Sequence, residues 1–316
     1  MNCPNCAGNH KRSAGMTCYC GYEFALDPKS AATGGFSDNR IVAAARKAGG
    51  DGERVFTANQ LWQCSVRSAA ALRWSLGLGG VPLVVVGLVT AIVGGRPVGW
   101  VVAGFGCLFL LVAALWRSRV EAVPFERALD RFESKHGPLP KRLRDTRPLD
   151  TPPPPAIEAD VFDYGVLGVL ICQRAELVDL LVLNGFAAEQ GLLVLAEDGY
   201  PGRLLPRLRQ VLGEQPELPV FVLHDATAEG EETADRVGRD SVLRVGDREV
   251  IDVGLSRADV KRLGLLKGVR GRDGSAPVDA VPWAKLTAGL AAAVAGQTTL
   301  AAVASQGDSG AVTSFG

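Results

Sequence analysis

Two long charge-free runs constrain this chain most: 22 residues separate Arg73 from Arg96, and 20 separate Arg96 from Arg117. A helix rises about 1.5 Å per residue, so either run is long enough to cross a hydrocarbon layer of about 30 Å. Val81 to Val93 and Val98 to Leu115 are dominated by aliphatic, Gly and Ala residues, and Trp74, Trp100 and Trp116 stand where aromatic rings favour an interface. Gly94-Gly95-Arg96-Pro97 breaks the helix between them, and Pro82 lies within the first run. The pattern predicts a two-helix transmembrane hairpin over 74–116, with the lipid bilayer as partner. A buried helical hairpin of a soluble core is the alternative.

Charge orients that hairpin. Residues 1–75 hold nine Lys and Arg against five Asp and Glu, and residues 117–150 hold nine against six, whereas the turn carries Arg96 alone. The positive-inside rule then places both termini in the cytoplasm, at the cell (inner) membrane. Because the net charge is zero overall, the part beyond residue 150 is acidic, which argues against wrapping of nucleic acid by that part. The basic flanks leave a nucleic-acid partner open but weakly supported. Glycines along the two runs would allow close helix approach or a homo-oligomer.

Four of the seven cysteines fall within the first twenty residues. Cys3-Pro-Asn-Cys6 and Cys18-Tyr-Cys20-Gly21 bring two pairs of thiolates to tight turns, the ligand set of a tetrahedral structural zinc site in a reducing compartment. Residues 1–25 resemble a zinc ribbon whose second knuckle, C-x-C, is shorter than usual. Four sulfurs fill the coordination shell, which leaves His10 outside it and no open position for catalysis. Residues 26–73 read as linker and helices, with one helix over Asn39 to Lys47 and a capping box at Thr57-Ala-Asn-Gln60 opening another.

Beyond the hairpin, residues 117–156 read as a juxtamembrane helix followed by a Pro-rich linker. Phe125, Leu129 and Phe132 form one apolar stripe, free to lie on a bilayer or on a neighbouring domain. Thr151-Pro-Pro-Pro-Pro155 marks a boundary. Then the pattern changes. Apolar runs at Val166 to Cys172, Leu192 to Ala196, Val220 to Leu223 and Glu249 to Val253 alternate with helical segments at Glu176 to Leu183, Arg203 to Leu212, Glu229 to Val237 and Ser256 to Leu263. Such alternation predicts an α/β domain over 157–275 with a mainly parallel, Rossmann-like sheet, whose ligands gather where strands end. Residues 276–316 read as an Ala/Gly-rich tail with a weak helix over Leu286 to Val303.

The strand ends carry Gln173-Arg174, then Gly199-Tyr200-Pro201, then His224-Asp225-Ala-Thr227-Ala-Glu-Gly230. In this order and spacing, residues 166–240 resemble a Toprim domain, in particular that of the topoisomerase VI A subunit. The resemblance implies a magnesium site built from a glutamate and two aspartates. Those positions are here Gln173, Asp225 and Thr227, so two of the three charges are missing and magnesium is not expected. Glu176, Glu197, Asp198 and Glu229 are the carboxylates able to substitute.

Catalytic candidates are therefore Asp225, His224, Gln173 and Thr227, and ligand-binding candidates are Gly199, Tyr200, Arg203 and Gly230. Arg203, Arg207 and Arg209 would grip a phosphate or form a solvated helix face. Asp252 is a further strand-end acid. The expected function is a non-catalytic, membrane-tethered sensing or scaffolding protein with a protein partner. The alternatives are a metal-dependent phosphotransfer or nuclease-type enzyme, and a nucleic-acid-tethering protein.

Overall fold

The computed structural model describes residues 1–65, 84–86, 89, 101–102, 105–107, 122–144, 147–154, 165–239, 242–262, 274–296 and 300. Four parallel strands form the centre: β1 (Gly168–Cys172), β2 (Leu192–Ala196), β3 (Val220–Leu223) and β4 (Val250–Asp252), in the order β2-β1-β3-β4. Every residue of the first three is buried, because helices cover both faces and leave no polar side to the sheet. That is why the strands read as continuous apolar runs rather than as alternation.

One layer of core holds Leu170 and Cys172 against Leu177, Leu180 and Leu181 of α4 (Ala175–Leu183), with Leu286 and Leu290 of α7 (Trp283–Val294) in the same cluster. The other holds Val169, Ile171, Val220 and Val222 against Leu208, Val211 and Leu212 of α5 (Leu205–Glu214) and Val237 of α6 (Thr233–Arg239). Burial of each such aliphatic side chain contributes about 1.5–3 kcal/mol, and this is what holds the layers together. The segment expected to begin a tail at residue 276 instead belongs to this fold. Ala276 bridges Ala226, and Val278 and Val281 enter the core.

The N-terminal part packs as a second cluster. Here α1 (Asp38–Ala48), the helical stretch 58–65 (α2) and α3 (Ala122–His136) surround Leu26, Phe36, Ile41, Leu61 and Trp62. The capping box forms: Thr57 Oγ1 accepts from Gln60 N–H at 3.2 Å, and Gln60 Oε1 accepts from Thr57 N–H at 3.2 Å. Phe125, Leu129 and Phe132 of α3 are buried in this cluster, so their stripe packs on protein. The Asp38 carboxylate is fully buried; it accepts from Ala25 and Leu26 N–H at 2.8 and 2.9 Å and from Tyr22 Oη–H at 2.9 Å, with His136 Nε2 at 3.2 Å. Through Tyr22 this network seats the cysteine-rich turn region on α1 and α3.

The structure corrects the membrane expectation. No helix among the described residues is long and apolar enough to cross a membrane. Within 74–116 the described residues 84–86, 89, 101–102 and 105–107 are helical, and Val85, Val86, Val89, Val101 and Phe105 among them are exposed. The remainder of the hairpin lies outside the described residues. A charge-free run supplies apolar length, but crossing a bilayer takes one continuous helix that satisfies its own backbone. The fold class is accordingly a parallel α/β domain joined to a helical, cysteine-rich N-terminal part, and neither the transmembrane hairpin nor an inner-membrane location is supported.

Candidate functional site

The N-terminal cysteines converge. The sulfurs of Cys3, Cys6, Cys18 and Cys20 all lie within 4.8 Å of one another, with Cys3 to Cys20 at 3.6 Å and Cys6 to Cys18 at 3.7 Å. A tetrahedral ion with metal–sulfur bonds of about 2.3 Å requires edges of about 3.8 Å. The four cysteines could therefore hold one metal ion. Two local turns create the geometry: Ala7 N–H bonds Cys3 C=O at 2.9 Å, and Gly21, at φ +84°, bonds Cys18 C=O at 2.9 Å. The Tyr22 N–H on its sulfur lowers the Cys20 thiol to about 6, whereas Cys6, despite the Gly8 N–H on its sulfur, is pushed up to about 12 by the neighbouring cysteines, so the four sulfurs share their protons unevenly. His10 is buried outside the cluster, with Nε2 2.9 Å from Gly15 C=O and its ring stacked on Phe24.

In the α/β domain, the strand order reverses between β1 and β3, which opens the crevice where such sheets take ligands. Arg174, immediately beyond β1, reaches across it. Its Nε and Nη2 donate to Asp225 Oδ2 and Oδ1 at 2.8 and 3.2 Å, Nη2 donates to Asp279 Oδ1 at 2.7 Å, and Nη1 donates to Glu176 Oε2 at 2.9 Å. Asp279 is fully buried and also accepts from Asn59 Nδ2 at 3.1 and 3.2 Å. Asp225 also accepts from Val278 N–H at 2.9 Å. Burial opposes the Arg174 charge, but Asp279 and Asp225 outweigh it and hold the guanidinium protonated. Burial, reinforced by Asp279, pushes the Glu176 carboxyl up to about 7 despite Arg174.

The three positions that the Toprim resemblance assigns to magnesium do different work here. Gln173 Oε1 accepts from Asp225 N–H at 2.9 Å, the Asp225 carboxylate is taken by Arg174, and Thr227 Oγ1 caps the short helix Ala228–Glu231 by accepting from Gly230 N–H at 2.8 Å. Gly230 serves that turn: a Cβ there would lie 2.1 Å from Asp225 C=O. Of the substitute carboxylates, Glu197 is bound by Arg236 at 2.5 and 2.9 Å, and Asp198 is bound by Arg147. Among the described residues, only the four cysteines form a group able to hold a metal.

The loop expected to bind a ligand is packed into the fold at Tyr200. Tyr200 is buried; its hydroxyl donates to Asp179 Oδ1 at 2.6 Å and accepts from Leu149 N–H at 2.8 Å. Gly199 supplies the positive φ of that turn, at +85°, and Arg203 Nε donates to Leu149 C=O at 2.8 Å. Arg207 bonds Gln210 on its own helix, and Arg209 is exposed. Asp279 and Asn59 escaped the sequence reading. The signal for Asp279 was present in Ala-Pro-Val-Asp-Ala-Val-Pro, one acid in an apolar run, since buried carboxylates demand a partner.

His224 and Asp252 join β3 to β4. His224 is buried, with Nδ1 2.8 Å from Asp225 C=O and Nε2 3.0 Å from Asp252 Oδ1. Both ring nitrogens face acceptors, so the imidazolium satisfies the arrangement. Burial works against that charge, yet Asp252 prevails and raises the His224 pKa; His224 and Gly254 N–H in turn lower that of Asp252 against the effect of burial. Comparison with family models, characterised proteins and solved structures finds no match.

A raised histidine pKa contributes stability fully below the unfolded value near 6.5, and that contribution is lost as pH rises through the folded value. The wild-type protein should therefore be more stable than Asp252→Asn at about pH 6, with the difference shrinking toward about pH 9 in chemical denaturation curves. Comparing the two proteins cancels the separate titrations of Glu176 and Asp179. A difference that stays constant over that range would refute the imidazolium assignment.

Proposed function

We propose that this chain is a zinc-stabilised, non-catalytic sensing or assembly module, in which a Toprim-like strand-end site has exchanged a divalent cation for the guanidinium of Arg174. The observation that carries the reading is the set of ion pairs from Arg174 to Asp225, Asp279 and Glu176 at 2.7–2.9 Å. A magnesium ion needs carboxylate oxygens turned toward a common point. Here they turn toward a fixed organic cation whose charge no reaction step displaces. Phosphotransfer or nuclease chemistry through this site would first require Arg174 to leave.

Zinc is the metal that four thiolates in a tetrahedral cradle select, in a closed structural role. Two of the four, Cys3 and Cys18, are buried with Phe24 in a cluster too small to fold without a metal. The ribbon is then a rigid platform, and a protein partner or a second copy of the chain is the class of partner such a platform suits.

Titration of the full-length wild-type protein with magnesium or manganese should show no saturable site. Arg174→Gly, which leaves buried carboxylates unpaired, should cost about 3–5 kcal/mol of stability and recover part of it with manganese. A wild-type divalent site abolished by Asp225→Ala would overturn the non-catalytic reading. Elemental analysis should find one zinc per chain, absent from Cys3→Ser/Cys20→Ser.

A further inference from the structure

A cavity of about 810 Å³ opens beside the Arg174 centre, lined by Glu133, Arg142, Leu143, Arg144, Arg147, Arg174, Ala175, Glu176 and Asp179. Its size falls within the range of small-molecule sites, roughly 300–1,000 Å³. Its chemistry does not suit an apolar ligand, since Leu143 and Ala175 are the only apolar residues among those nine. It lies against the start of α4, just past the strand-order reversal.

The arginines in this wall differ in their freedom. Arg142 is committed, donating from Nε and Nη2 to the two oxygens of Glu133 at 2.8 and 2.7 Å with its side chain mostly buried. Arg174 is committed to its three carboxylates. Arg144 is 43% exposed and, among the described residues, makes one long contact to Glu133 at 3.5 Å, so these residues leave most of its five N–H donors available. Arg147 is 48% exposed, pairs with Asp198 through Nη2 and lies over the Tyr200 ring, which fixes its plane and leaves other donors free. Arg147 holds a left-handed backbone at φ +45°, a conformation that non-glycine residues adopt at a cost.

Two partly free guanidinium forks lining one cavity match an anion with several acceptor oxygens. A phosphate, with three such oxygens and a charge near −2, suits two forks better than a single carboxylate does. Glu176 and Asp179 line the same cavity; Arg174 takes Glu176 Oε2 and Tyr200 takes Asp179 Oδ1, and the other carboxyl oxygen of each is the acceptor offered to a ligand. Burial raises these two carboxyls to about 7 and about 6, respectively, which lessens their repulsion of an anion.

We propose that this cavity binds a hydroxyl-bearing phosphorylated small molecule, with Arg144 and Arg147 holding the phosphate and Glu176 and Asp179 accepting from its hydroxyl groups. The inference deepens the sensing reading above and rests on it.

The test is calorimetric titration of the full-length protein with ribose 5-phosphate, ribose and citrate, at fixed ionic strength and without added divalent cation. Ribose 5-phosphate should bind saturably and ribose should not. Arg144→Gln and Arg147→Gln should each weaken binding by about tenfold or more, and Arg209→Gln on the exposed face of α5 should leave it unchanged. Arg144→Gln alone suffices should the strained Arg147 position not tolerate replacement. No saturable binding of ribose 5-phosphate, equal binding by the Arg144→Gln variant, or tighter binding of citrate would each overturn the proposal. Because no divalent ion is added, failure here leaves the divalent titrations of the non-catalytic reading intact, and failure there leaves this result readable.

Discussion

The Arg174 guanidinium is the interaction on which the arrangement of the strand ends depends. A cation placed in a mostly buried crevice is tolerated only when its charge and its N–H groups are matched, and Asp225, Asp279 and Glu176 match them from three separate stretches of chain. Asp225 brings in β3, and through its bond to Val278 N–H it also fixes the returning segment that carries Asp279. Asp279 extends the centre to Asn59 on α2. One side chain thereby joins the two central strands, the C-terminal return and the helical N-terminal part.

The neighbouring polar side chains serve the backbone: Gln173 steadies the turn after β3, and Thr227 caps the short helix that follows it. Arg174 neutralises Asp225 and Asp279 from within the chain, and beside it lies the cavity lined by Arg144 and Arg147.

Much of the fold was legible in the sequence because local pattern determines it. Leu192–Ala196 and Val220–Leu223 are apolar runs between turn signals, and a strand buried on both faces needs little more. The cysteine cluster was legible because its ligands are adjacent in sequence. Asp279 was not, since it meets Arg174 across 105 residues and no local pattern encodes such a pairing. Tyr200 shows the same limit: its motif suggested a ligand loop, and no local pattern encodes the bonds of its hydroxyl to Asp179 and to Leu149, 51 residues away. The charge-free runs misled differently. They specify apolar length, and the described residues contain no helix that uses it to span a bilayer.

The most direct measurement is a double-mutant cycle between Arg174 and Asp279 in the full-length protein, using Arg174→Met and Asp279→Asn and equilibrium denaturation. A buried pair that organises its surroundings should show a coupling free energy of about 2 kcal/mol or more, each single variant costing nearly as much as both together. Effects that add to within about 0.5 kcal/mol would show that the pair acts independently, and would contradict the central role assigned to Arg174.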